Sequence, residues 1–183
     1  LDSLGGVVQE VIRGQRKVVL VSHRPVNQIY RRQCDVLALL SNHLPKRSLE
    51  PLHIAVEVNK GNFLNHDFTQ RSRSFLFAAL AAITARCFDR SRIRFYDNGV
   101  VSLNLPVSPQ VIGGRASRTT HPQVLAGFEQ LFSLLFDTRF EVQNPYLWKT
   151  KAEVLAEIKD EGLGRLCAVK SSCVHTMELR DGH

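Results

Sequence analysis

Apolar residues recur along this chain with two periods, and the alternation between them lays out the elements. Leu4, Val7, Val8, Val11 and Ile12 share one helical face ahead of Gly14, which predicts a first helix over 4–13. "KVVLVS" (17–22) is an unbroken, β-branched run closed by "HRP", the pattern of a strand buried on both faces. From Val26 to Leu44, the residues Ile29, Val36, Leu37, Leu39, Leu40 and Leu44 keep helical spacing until Pro45. "LHIAVEV" (52–58) predicts the next strand, and the polar loop "NKGNFLNHDFTQ" leads into an apolar helix from Ser72 to Phe88.

"SRIRFYDNGVVSLNL" predicts a strand at 92–96 and, after the Asn98-Gly99 turn, a second extended run at 100–105. A loop carrying Gly113, Gly114 and Arg115 then reaches "TTHP". Residues 121–136 form an amphipathic helix with Pro122 in its first turn, "RFEV" (139–142) is strand-like, and 150–159 is a helix. The start of that last helix is well specified, because Thr150 and Glu153 have the T-x-x-E spacing in which each satisfies a free donor of the other. Strands and helices alternating at these lengths imply right-handed crossovers and an α/β fold, with a mainly parallel sheet and helices on both faces. Ligands of such sheets sit beyond the carboxyl ends of the strands, which directs attention to residues 22–24, 59–74, 97–104 and 144–151.

A length of 183 residues suits one domain, able to bury roughly two thirds of its unfolded surface. No Pro/Gly/Ser-rich linker, charge block or internal repeat divides it. No apolar run approaches the ~18 residues that cross a bilayer, and no basic segment followed by an apolar one opens the chain, so a cytoplasmic protein without a membrane partner is expected. Cys34, Cys87, Cys167 and Cys173 show neither a CxxC pair nor regular spacing, which predicts reduced thiols. Twenty-four Lys and Arg against 17 Asp and Glu give a net charge of +7 and favour anionic partners. The basic residues are scattered without aromatic interleaving, so nucleic acid is the less favoured of these.

A turn that binds phosphate needs small residues, outward N–H groups and a helix amino terminus behind them. The opening "LDSLGG" has part of that, although Asp2 and Ser3 also suit a plain helix cap. Preceded by Ser-Gly-Gly it would read SGGLDS, and this resembles the signature of the PP-loop (N-type) ATP pyrophosphatases. "KVVLVSHRP" falls where that family's second strand ends near the adenine. "NPYLWKTKAEVL" (144–155) resembles the family's proline-led turn with Thr-Lys at a helix start. Lys149 and Lys151 stand there against the helix dipole, at a cost of several tenths of a kcal/mol unless an anion neutralises them; the plain alternative is that both extend into solvent.

Within the superfamily, "QRSRSFLFAALAA" (70–82) is similar to the helix-opening Arg motif of the 7-cyano-7-deazaguanine synthases, with Ser72 and Ser74 where Pro and Asn are usual; Arg73, rather than Arg71, is taken as the ligand. "VKSSCVH" (169–175) resembles the Ser-Cys that opens their zinc tail, making Cys173 one ligand of a tetrahedral Zn²⁺ site; a buried free thiol is the plain alternative. "DNGVVSLN", "TTHP" and "NPYLWKTKAEV" look like the synthase-like proteins associated with anti-phage systems more than the queuosine-pathway enzyme.

The resemblance implies a Rossmann-like sheet of the adenine nucleotide alpha-hydrolase type whose first strand and half phosphate loop lie ahead of Leu1, with residues 166–183 beginning the zinc tail. It implies an ATP-dependent ligase in which a carboxylate, such as that of a 7-deazaguanine, is adenylated, and ammonia or a protein amine then displaces AMP. Asp2 and Ser3 would cradle pyrophosphate and help hold Mg²⁺, Arg73 and Lys151 would neutralise phosphate charge, and Ser22, His23 and Thr150 would line the nucleotide. Asp97, Asn98 and Asn104, with Arg118 and His121, would face nucleotide or substrate, while His43, His53 and His66 receive no role. Turnover is not expected of these 183 residues alone. A tRNA-modifying PP-loop enzyme and an inactive nucleotide-binding subunit are the alternatives.

Overall fold

The computed structural model describes residues 2–24, 27–44, 46–57, 73–103, 120–165 and 167. Helix α1 (Asp2–Val7) continues into a π-helical stretch, Val8–Arg13, and its face of Leu4, Val8 and Val11 is buried as the spacing predicts. After β1 (Val19–His23) come α2 (Asn27–Ser41), a 3₁₀ turn (Arg47–Leu49), β2 (Leu52–Val56) and α3 (Arg73–Cys87). The remaining elements are β3 (Arg92–Arg94), α4 (Gly99–Leu103), α5 (Pro122–Leu135), β4 (Glu141–Gln143) and α6 (Lys151–Asp160).

Both strand pairings are parallel, in keeping with an α/β chain. β1 lies beside β2 with Val19 opposite Leu52 and His23 opposite Val56, and β3 lies beside β4 with Arg92 opposite Glu141 and Arg94 opposite Gln143. The described residues form these two two-stranded sheets, where the alternation predicted one continuous sheet. Helix α3 packs against both β1 and β3. Its Ala78 and Ala82 are fully buried, and such small residues let a helix approach strands closely.

Two apolar clusters hold the elements together. Leu4, Val8, Leu40, Tyr146, Val154 and Ile158 join α1, α2 and α6, while Ala78, Ala82, Ile93, Leu125, Phe132 and Phe140 join α3, α5 and β3. Each buried Val, Leu, Ile or Phe side chain contributes about 1.5–3 kcal/mol, so these clusters are the main source of stability.

Two expectations need correction. The extended run expected at 100–105 is not formed over its described part: Gly99–Leu103 is helical, because the side-chain oxygen of Asn98 accepts from the N–H groups of Val100 (3.1 Å) and Val101 (3.2 Å) and so caps a helix, and 104–105 lie outside the described residues. The Asn-Gly pair opens a helix here and does not close a hairpin. Nor is β1 buried on both faces, since Val19 is 37% exposed and the other four residues are only half-buried. The capping box at α6 is present in full. The Thr150 side chain accepts from the Glu153 N–H, and the Glu153 carboxylate accepts from the Thr150 N–H at 2.7 Å.

Candidate functional site

Helices α1 and α6 run side by side in the same direction. Gly5 lies against Val154, so closely that a Cβ there would meet its Cγ1 at 2.5 Å, and further along Arg13 pairs with Glu157, Asp160 and Glu161. Their amino ends, carrying Asp2 and Lys151, are therefore neighbours. Helix α1 also runs back along the β3 segment: Asp2 meets Asn98, Gly6 meets Tyr96 and Glu10 meets Arg94. Asp2 thus sits just beyond the carboxyl end of β3, on the side of the sheet where open α/β folds bind ligands.

A buried polar cluster surrounds that point. Asn98, 1% exposed, donates from Nδ2 to Oδ2 of Asp2 at 2.7 Å while its oxygen caps α4. Thr120 donates to Oδ2 of Asp97 at 2.8 Å, and Ser102 donates to the Asp97 carbonyl at 3.1 Å. Asn144 donates from Nδ2 to the same carbonyl and to Oγ of Ser102, both at 2.8 Å, and its oxygen accepts from the Tyr146 N–H. Gly99 lets α4 reach this turn, because its N–H donates to the Lys149 carbonyl and a Cβ there would lie 2.2 Å from the Leu147 carbonyl oxygen.

The two carboxylates are not equally settled. Burial raises the Asp97 pKa; the Thr120 hydrogen bond opposes this, and the nearby charge of Asp2 adds to it. Asp2 keeps its Oδ1 buried without a hydrogen-bond partner among the described residues. That orphaned acceptor suits a hard cation or a ligand N–H or O–H, since a buried carboxylate oxygen without a partner costs free energy. Mg²⁺ asks for one or two carboxylates and completes its shell from phosphates and water, which this donor set fits. Among the described residues no group of three or more His, Cys, Asp or Glu could hold a metal ion, and Cys173 lies outside those residues.

The other expected residues divide between committed and available groups. Lys149 is ion-paired with Glu157 and lies 4.5 Å from the Tyr146 ring centre, so it does not wait for an anion. Lys151 is the exposed first residue of α6, with no described partner. Thr150 spends its hydroxyl on the helix cap, both accepting from the Glu153 N–H and donating to the Glu153 carboxylate. Ser3 is exposed on α1.

Ser22 and His23 face opposite sides of β1, as successive strand residues must. Ser22 meets Gln33 and His53, donating to Gln33 Oε1 at 3.1 Å and lying 2.8 Å from His53 Nε2. His23 faces α3, where its ring and the Arg73 guanidinium both approach Phe77, at 6.4 and 5.6 Å between centres. His23 and Arg73 are thereby brought together, and Ser22 is not with them. His121 caps α5, its Nδ1 accepting from the Gln123 N–H. Arg71, Asn104 and Arg118 lie outside the described residues.

Sequence reasoning missed a second polar group. Glu10, 8% exposed, accepts from Tyr96 at 2.6 Å and from Arg16 and Arg94 at 2.8 Å each. Burial works to raise its pKa, but the hydrogen bonds and the two guanidinium charges outweigh burial and hold the carboxyl below its ordinary value. The signal was a lone acid among Val7, Val8 and Val11 on a helix otherwise apolar at those positions. His53 was also passed over, yet it contacts Ser22 and stacks on Tyr30, whose ring lies under the Arg24 guanidinium.

Searches against protein-family models and against curated proteins return no match for this chain.

Proposed function

We propose that the chain supplies the nucleotide-binding part of an ATP-dependent adenylating ligase of the PP-loop kind, built on a Rossmann-like sheet and akin in its motifs to the 7-cyano-7-deazaguanine synthases. The observation that carries this reading is the pairing of the α1 and α6 amino ends beyond the carboxyl end of β3, with the half-satisfied Asp2 on one and the uncommitted Lys151 on the other. Each helix end presents about half a positive charge, and two side by side with a lysine favour a polyphosphate.

In the reaction so proposed, a substrate carboxylate oxygen forms a bond to the α-phosphorus of ATP as the bond to pyrophosphate breaks. A nitrogen nucleophile then displaces AMP from the acyl carbon and loses a proton. Bound Mg²⁺, held by Asp2 and the phosphates, would screen charge on the leaving pyrophosphate. The chain's own part is positioning and charge: Lys151 and the helix ends hold the phosphates, Arg73 and His23 approach from the end of β1, and Asn98 orients Asp2.

Binding, not turnover, is the test for these residues. Calorimetric titration with Mg²⁺-pyrophosphate and with Mg²⁺-ATP should give a Kd on the order of 1 mM or tighter. Lys151→Ala should weaken both by roughly tenfold, the value of one charge-assisted contact, and Asp2→Asn should remove the Mg²⁺ dependence. No binding by the folded wild-type chain, or equal binding by the Lys151 variant, overturns the reading.

A further inference from the structure

The turn between β4 and α6 commits nearly all of its large side chains. Asn144 belongs to the buried polar cluster, Tyr146 is 1% exposed in the core of α1, α2 and α6, Leu147 lines a hollow with Leu125 and Val142, and Lys149 is paired with Glu157. Trp148 stands 82% exposed. Among the described residues its indole has no hydrogen bond, ring contact or cation partner. That is unusual for a side chain that is highly buried on average.

The backbone that carries this ring is fixed. The Leu147 N–H donates to the Asn144 carbonyl at 3.3 Å, the Lys149 N–H donates to the Tyr146 carbonyl at 2.9 Å, and the Lys149 carbonyl accepts from the Gly99 N–H at 2.8 Å. Gly99 also lies against the Leu147 carbonyl, so α4 is pinned to the turn on both sides of Trp148. The next two residues of α4 are apolar and reach the surface, Val100 at 71% and Val101 at 45% exposure. A large ring left unburied adds little to the fold, but one whose backbone is already ordered loses little entropy when it binds.

The surroundings of the ring indicate what it takes. Gly99 follows Asn98, whose amide holds Asp2, and Lys151 comes three residues after Trp148. The exposed apolar residues therefore adjoin the unsatisfied Asp2 oxygen and the exposed Lys151, the point proposed above for polyphosphate. A ligand that meets both is anionic at one end and flat at the other. Ser22, which the resemblance assigns to the nucleotide, is spent elsewhere, its hydroxyl lying between Gln33 and His53.

We infer that Trp148 is the platform on which the base of a bound nucleotide stacks, with Val100 and Val101 adding apolar contact beside it. The inference rests on the phosphate site proposed above, and its own content is the preference for a nucleotide over bare polyphosphate. Stacking tolerates any base, because every base has a π-face.

Trp148 is the only tryptophan of the chain, so its fluorescence reports this one ring. Mg²⁺-ATP should quench it. Mg²⁺-tripolyphosphate, which has the phosphates without a base, should bind and leave the emission almost unchanged. By calorimetry ATP should bind roughly tenfold tighter than tripolyphosphate, in the lower part of the range that one stacked base supplies. Trp148→Ala should abolish that margin with tripolyphosphate affinity unchanged, and Trp148→Phe should keep most of it, both variants retaining the wild-type circular dichroism. The quenching measurement needs no variant. Tripolyphosphate bound with ATP no tighter, or a margin that survives in Trp148→Ala, overturns the platform and leaves the phosphate site standing. ATP that binds and quenches where tripolyphosphate does not bind leaves the platform and removes the phosphate site. Failure of both ligands to bind overturns both. An indole already shielded from acrylamide in the ligand-free chain would mean that another protein surface, such as a second copy, covers it, and would also overturn the inference.

Discussion

At Gly6 a methyl group has no space. A Cβ there would lie 2.3 Å from Cγ of Tyr96, with the two Cδ atoms at 2.5 and 2.8 Å. The ring is held on two sides: its hydroxyl donates to Glu10 at 2.6 Å, and it meets Tyr146 edge to face with centroids 5.2 Å apart. Gly6→Ala must push α1 away or dislodge the ring. Over-packing of this kind costs about 1–3 kcal/mol, and losing a hydrogen bond to a charged acceptor costs about 1.5–3 kcal/mol. Against either stands the roughly 1 kcal/mol by which Ala exceeds Gly inside a helix. The balance is a loss of about 1–2 kcal/mol, or about 5 °C in melting temperature for a chain of this length. Gly127 provides the control, since a Cβ on that exposed α5 position meets nothing within 4 Å. Gly127→Ala should stabilise by about 0.5–1 kcal/mol. Urea titrations followed by far-ultraviolet circular dichroism should therefore move the two midpoints in opposite directions with unchanged slopes. A Gly6→Ala protein as stable as wild type would refute the wedge between α1 and Tyr96.

Asp97 carries a pH prediction of definite sign. Its folded pKa is raised above the unfolded value near 3.8, by burial first, with Thr120 opposing and Asp2 adding. Its contribution is therefore fully present below that value and is lost as pH rises through the folded pKa. Asp97→Asn, which keeps an acceptor for Thr120, should gain in melting temperature relative to wild type as pH increases from acid to neutral; an advantage that shrinks over that range would contradict the assigned burial. At α6, Thr150→Ala should cost about 1 kcal/mol and Thr150→Ser should restore it. Unchanged urea midpoints in the alanine variant would show that the hydroxyl does not act as the cap.

The long helices were legible because their signals are local. α2 and α5 follow apolar spacing, α3 is a near-continuous apolar run, and α6 announces its start in a four-residue pattern that the structure reproduces bond for bond. "DNGVV" was misread for a reason that no local rule resolves. Asn-Gly suits a hairpin turn and a helix cap equally, and the choice is made by partners distant in sequence: Asp2 takes the Asn98 amide, and the Leu147–Lys149 turn presses on Gly99. Likewise Lys149 and Lys151 look alike in sequence. Only folding shows that Glu157 and the Tyr146 ring claim the first and leave the second. The apolar run of β1 predicts a strand buried on both faces, and its partial exposure depends on packing that single-strand patterning cannot see.

The polar cluster itself separates a structural from a ligand-binding origin. A purely structural network saturates its members, because a half-satisfied one is costlier than an apolar core. Here Asn98, Ser102, Thr120 and Asn144 all find partners, and the exception is one oxygen of Asp2, at the point where α1 and α6 open together. A single inward acceptor at paired helix ends is poor design for stability, since the macrodipole and Asn98 together satisfy only half the carboxylate. It is the arrangement expected where a cation or a ligand proton completes the site, and stability given up at such a point is characteristic of function. Asp97 behaves in the same way, held in a burial that disfavours its charge beside a second carboxylate. The unsatisfied Asp2 oxygen and the buried Asp97, near the carboxyl end of β3, thus support the proposed ligand site more than any single motif in the sequence does.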